Sequence, residues 1–183
     1  MKTILTKKGD RILVDDESYD MLSTYSWCVL SPGRRMGRKQ KYAATTCRDN
    51  GKKKLNTMHR MIMKAVKGQM IDHINGDGLD NRKENLRFCT KSQNAANAML
   101  SLGNKSGVKG VYWDKQRKKW HAQIVVRRKT IALGRYTSLI EATEYRDKMA
   151  KKLHGEHART NKDLAININL LDAVHVKCVG DGR

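Results

Sequence analysis

Short apolar runs bounded by turn residues recur along the first sixty residues, the pattern of a β-rich segment. Strands are predicted at residues 4–6, 11–14, 26–30, 41–48 and 53–58, with a short helix within 15–25. Lys7-Lys8-Gly9-Asp10 makes the first turn, where Gly supplies a positive φ, and Asp49-Asn50-Gly51 reads as a hairpin turn. After residue 58 the pattern changes. A helix is predicted over 58–66, then a strand at Met70-Ile71-Asp72-His73, a polar Gly-rich loop, a strand at Leu86-Arg87-Phe88 and a helix over 91–100. Thr90 and Gln93 stand in capping-box spacing and fix where that helix starts. Three further strands are predicted at 109–113, 119–126 and 130–136, followed by a helix over 139–153 with Ser138 and Glu141 in the same spacing. Ala142, Tyr145, Met149 and Leu153 give that helix one apolar stripe, and Lys148, Lys151 and Lys152 complement its C-terminal dipole.

The predicted fold class is α+β. A β-rich N-terminal segment (1–58) packs on a strand–loop–strand–helix core (59–100). A polar linker (101–105) leads to a three-stranded antiparallel sheet covered by one helix (106–161), and a tail (162–183) follows. In the tail Lys162, Lys177 and Arg183 balance Asp163, Asp172 and Asp181, so the excess charge lies upstream, and a poorly ordered appendage is expected.

That excess is large. The chain has 183 residues, with 38 Lys and Arg against 18 Asp and Glu, a formal charge of +20. Such a balance argues against an enzyme of small metabolites and for a polyanionic partner, since each cation near a phosphate releases condensed counterions. No apolar run approaches a membrane span, and the N-terminus lacks a signal-peptide core, so a cytoplasmic protein is expected. Cys28, Cys47, Cys89 and Cys178 form no C-x-x-C pair; neither structural zinc nor disulfides are expected.

Candidate chemistry sits in the middle segment. Asp72-His73 is followed by Asn75-Gly76-Asp77-Gly78, by Asn85-Leu86-Arg87-Phe88 and by Asn94. Over about residues 58–97 this resembles the HNH nuclease family, in particular its phage and intron-encoded homing branch, where the last position is often Asn. The resemblance implies a ββα-metal core, with His73 as general base, Asp72 and Asn94 as oxygen ligands of one Mg²⁺ or Mn²⁺, and Asn85 orienting the His73 ring or bracing the loop. His59, before Arg60, stands where the family has an upstream His-Arg pair and is read as structural or near phosphate. Asp77 and Asp80 are read as solvated loop residues. Neighbours on a regular strand face opposite ways, so Asp72 and His73 can share a site only where the strand ends.

The last segment resembles an AP2 DNA-binding domain. The residues that carry this are Gly107-Val108-Lys109-Gly110-Val111-Tyr112-Trp113, Trp120-His121-Ala122-Gln123-Ile124, Leu133-Gly134-Arg135-Tyr136 and His154-Gly155-Glu156. Alternation turns Trp120, Ala122 and Ile124 toward the helix and His121 and Gln123 away from it, onto an open face shared with Lys109. Gln can pair bidentately with adenine, and Tyr112 matches a contacting position. Lys115, Lys118, Arg127, Arg128 and Lys129 at the turns are expected to grip phosphates, as are Arg34, Arg35, Arg38 and Lys39 in the N-terminal loop, and Arg87 beside the site.

The sequence thus predicts a homing-type endonuclease acting on double-stranded DNA. It is expected to nick one strand per site as a monomer, with a dimer as the alternative. No membrane or small-molecule partner is expected. The competing expectation is a DNA-binding regulator that keeps the nuclease fold without its activity.

Overall fold

A computed structural model describes residues 1–31, 41–49, 51–101, 103–164, 166 and 168. Arg34, Arg35, Arg38 and Lys39, with the loop carrying them, lie outside the described residues, as does most of the tail. The architecture is α+β, with small antiparallel sheets and short helices in two compact units, Met1–Asn94 and Ala95–Arg183.

In the first unit, β1 (Lys2–Leu5) pairs with β2 (Arg11–Val14) across a turn where Gly9 takes φ +82°. Helix α1 (Asp16–Ser23) follows. Strands β3 (Cys28–Leu30), β4 (Tyr42–Asp49) and β5 (Lys52–Thr57) form a sheet in that order. Helix α2 (Met58–Ile62), hairpin β6 (Met70–His73) with β7 (Leu86–Cys89), and α3 (Lys91–Ala96) complete the unit's elements. Ile12, Val14, Leu22, Trp27, Ala43, Met58, Ile62 and Leu86 form one buried core. Each large side chain there contributes about 1.5–3 kcal/mol by leaving water. The residues predicted as an N-terminal accessory therefore share a core with β7.

Several element ends differ from expectation, each through a partner distant in sequence or a backbone angle. Helix α2 stops at Ile62 rather than running to 66, because Lys64 adopts φ +49° and Arg60 gathers the carbonyls of Ala65, Val66 and Gln69. Strand β3 begins at Cys28 because Trp27 turns inward, its Nε1 donating to the Leu22 carbonyl at 2.8 Å. The box at Thr90 and Gln93 does form reciprocally, at 2.8 and 3.2 Å, but α3 ends at Ala96 rather than 100.

The second unit holds β8 (Val111–Asp114), β9 (Lys119–Val126) and β10 (Lys129–Tyr136) in the order β10-β9-β8, followed by α4 (Leu139–His154). Ser138 caps α4, its Oγ accepting from the Ile140 and Glu141 amides. Val108, Val111, Trp120, Ala122, Leu139 and Ala142 form its core. Asn104, in the polar segment before β8, is hydrogen-bonded into this unit. Asn104 Nδ2 donates to the Val108 carbonyl, and its Oδ1 accepts from the Gly107 amide. Nor does the chain leave the fold at 161, since Ile166 and Ile168 pack against the same core. No helix among the described residues is long and apolar enough to cross a membrane.

Candidate active site

Strand β6 ends at His73, where the Ile74 amide donates to the Asn85 carbonyl. Ending there lets two adjacent side chains be buried together: Asp72 is 5% and His73 2% exposed. Their cross-strand partners on β7 are Arg87 and Leu86. Arg87 Nε and Nη2 both donate to Asp72 Oδ2, at 3.2 and 3.0 Å. The residue expected to grip DNA thus neutralises the carboxylate expected to bind metal.

Around the His73 imidazole stand His59, edge-on at 5.1 Å between centroids, and Tyr42 at 5.9 Å, with Asn81 Oδ1 3.5 Å from Nε2. Burial is the main force holding the His73 pKa below its usual value, against Asn81 and the nearby carboxylates, which raise it. His59 is pushed further, to about 3, by burial first and then by His73 and Arg60. Its buried Nδ1 has no hydrogen-bond partner among the described residues.

Asn85 braces the loop. Its Oδ1 accepts from the Asn75 amide, and its Nδ2 donates to Asn75 Oδ1 and to the Asp80 carbonyl. Asp80, expected in solvent, is 2% exposed instead, bridged by Arg82 at 2.7 and 2.8 Å and by Asn75 at 2.9 Å. The Arg82 hydrogen bonds hold the Asp80 pKa below the usual carboxylate range. Asp77 accepts from the Leu79 amide in a local turn. Strand β2 grips this loop: Leu13 N donates to the Leu79 carbonyl and Leu13 O accepts from Asn81. Asn94 is half-buried on α3. Among the described residues no cluster of three His, Cys, Asp or Glu side chains could hold a metal ion. Tyr42 and Asn81 were missed at the sequence level; nothing in their spacing marks them, since both reach His73 through the fold of the N-terminal strands.

The buried imidazoles make stability pH-dependent. Well above pH 6.5 His59 is neutral in folded and unfolded chains alike and adds no slope. As the pH falls toward about 3, the unfolded chain takes up a proton that the fold resists, so stability declines. Urea midpoints measured from about pH 7 to 4 are expected to fall by the equivalent of about 3 kcal/mol for this group. His59→Gln should flatten the slope; an unchanged slope would remove His59 as its cause.

In the second unit Tyr112, 46% exposed, lies over His121 at 4.9 Å between centroids, and this cross-strand pair faces away from the core. His121 itself is only 8% exposed, and burial, then Arg135, lowers its pKa. Gln123 is half-buried and, with Tyr112, Trp113, Lys105 and Lys115, lines a cleft of about 530 Å³. Lys109 lies before β8, not on it: Gly110 takes φ +77°, and Lys109 Nζ donates to the Ala96 and Ala98 carbonyls at 2.6 Å. Lys115, Lys118, Arg127, Arg128 and Lys129 are exposed. Glu156 and His157 lie at the end of α4, 3.5 Å apart.

The profile of the HNH endonuclease family matches residues 57–96, the span that holds α2, the β6–β7 hairpin and α3. The chain is 33% identical over 93 residues to Protein 3.8 of Escherichia phage T7, covering 51% of this chain and 76% of that protein. It is 28% identical over 161 residues to an uncharacterized HNH endonuclease of Acanthamoeba polyphaga mimivirus, covering 85% of this chain and 76% of that one. No solved structure matches. With His73 and Asp72 side by side in the matched span, and relatives that include a viral HNH endonuclease, the chain belongs to the HNH endonuclease family.

Proposed function

We propose that this protein is a homing-type DNA endonuclease that nicks one strand of a duplex per binding event. In this reading the first unit hydrolyses the phosphodiester bond and the second, AP2-like unit sets position. The observation that carries it is the placement of a carboxylate beside an imidazole, Asp72 and His73, at the buried end of one strand inside the HNH-matched span. The three-stranded sheet with one helix and its exposed basic turns support the AP2-like part.

The donor chemistry fits a hard divalent cation. The Asp72 carboxylate and the Asn94 amide are oxygen donors of the kind such an ion takes, and Arg87 holds the Asp72 charge in the DNA-free protein. Bound there, Mg²⁺ or Mn²⁺ would neutralise charge on the phosphate and the leaving oxygen. His73, kept neutral by burial, can accept the proton of the attacking water near neutral pH. Asn81 at Nε2 limits how the ring rotates, and Asn85 holds the loop that carries Asn81. Arg127 and Arg128 hold phosphates at the hairpin tip. A base must meet its water, and His73 is 2% exposed; in this reading, duplex binding brings the attacking water to it.

The same burial, with Arg87 on Asp72, favours a second reading: a DNA-binding regulator built on an HNH fold. Supercoiled-plasmid nicking in Mg²⁺ and Mn²⁺ separates the two. Cleavage by the wild type supports the nuclease; retarded mobility without cleavage in either ion, or in Ca²⁺, Co²⁺ and Ni²⁺, supports the regulator.

The hairpin tip tests the second unit's role. Val126 pairs with Lys129, so Arg127 and Arg128 form a two-residue turn, both at positive φ, +48° and +65°. Asn-Gly suits that turn far better, since arginine there costs roughly 1 kcal/mol or more per residue. Changing Arg127→Asn with Arg128→Gly is expected to raise Tm while weakening duplex binding. If both arginines touch phosphates, the slope of log K against log salt should fall by about 2. Unchanged affinity would remove the tip from the interface.

A further inference from the structure

We propose that Arg87 is the resident cation of the Asp72 carboxylate, and that a divalent ion loads at Asp72 only after the DNA backbone has drawn Arg87 away. Binding of duplex would then precede assembly of the hydrolytic centre. The inference rests on the nuclease reading above and adds an order of events to it.

Asp72 and Arg87 are cross-strand partners, so the pair is set by the β6–β7 register rather than by a chance rotamer. Two guanidinium nitrogens converge on one oxygen, Oδ2, at 3.2 and 3.0 Å, with the Asp72 side chain 5% and that of Arg87 14% exposed. At that burial a charge pair is weakly screened, and each partner is costly to leave alone. A dication at the same carboxylate would meet a fixed positive charge on its far side, which opposes loading as long as Arg87 stays.

Arg87 has another acceptor available. A phosphodiester presents two oxygens to a guanidinium as a carboxylate does, and the long arginine stem can exchange one for the other. Phosphate near the site would thus offer Arg87 an anion as it releases Asp72. The consequence is a centre that holds its ion weakly off DNA, so that charge is built up only where there is a bond to cut.

The opposite role is also physically definite. A guanidinium can orient a ligating carboxylate, and its loss then weakens metal binding. The sign of one measurement separates the two. Mn²⁺ binding to the full-length, DNA-free protein is followed by the paramagnetic resonance signal of free Mn²⁺, for wild type, Arg87→Met and the double variant with Asp72→Asn. Arg87→Met is expected to bind Mn²⁺ at least tenfold more tightly than wild type, and the double variant to lose that gain. Equal or weaker binding by Arg87→Met overturns the proposal.

Should Arg87→Met fail to fold, the wild type still decides. The Arg87 side-chain Nε–H resonance is expected to shift when Mg²⁺ and a phosphorothioate duplex are added together; an unmoved resonance overturns the proposal. Failure of the nuclease reading looks different, because the wild type would then neither nick plasmid nor bind Mn²⁺ on the duplex. Nicking by wild type with no gain in Arg87→Met would sink this inference alone.

Discussion

His73→Ala is expected to lower plasmid nicking by about a thousandfold while leaving duplex affinity within a factor of two. Positioned general bases contribute roughly 10²–10⁴ in rate, and a methyl group cannot accept the proton. Affinity should hold because His73 is 2% exposed and the exposed cations lie elsewhere. The substitution also removes a ring from contact with His59 and Tyr42, so some stability is lost. Assays well below the measured Tm, with His73→Gln as a bulkier companion, separate that loss from the chemical one. Both variants should keep the wild-type gel shift and lose the nick. Cleavage that survives in both would mean that another group takes the proton, and His73 would become a packing residue.

What could be read from the sequence follows the range of the interactions. The turn at Gly9 and the caps at Thr90 and Ser138 depend on residues within three or four positions, and each forms as the spacing predicts. The end of α3 depends on Lys109, whose ammonium reaches back thirteen positions to the Ala96 carbonyl. The start of β8 depends on Asn161, which takes the Lys109 amide and donates to its carbonyl across 52 positions. No local pattern carries such partners. The candidate site divides in the same way. Asp72, His73, Asn85 and Asn94 stand out as residue types in a recognisable order. The cover of His73 comes from Tyr42 and His59, and Arg87 shows its partner only once β6 and β7 are in register. Charge led to the assignment of Arg87 to the phosphate backbone, because a free cation and a paired one look alike in a sequence.

Gly78→Ala is expected to be among the most damaging single-methyl changes in the protein. A Cβ at that position would overlap the Lys41 carbonyl oxygen and lie 2.8 Å from Tyr42 Cδ1. One neighbour is backbone and the other a ring in contact with His73 and His59, so neither yields without moving the site. Overpacking of this kind costs about 3 kcal/mol, which for a chain of this size is a fall in Tm of roughly 6–12 °C. The damage should reach the chemistry as well. Gly78 accepts from Asn81 Nδ2 through its carbonyl, and Asn81 in turn faces His73 Nε2. Pushing the loop off β4 moves that contact, so nicking at a temperature where the variant is folded should fall through kcat more than through KM. Gly9→Ala is the matching control. Gly9 has φ +82° but open space around it, so an added methyl meets only backbone strain of about 1 kcal/mol. If Gly78→Ala melted no lower than Gly9→Ala, the close approach of the loop to β4 would not be what holds the site in place.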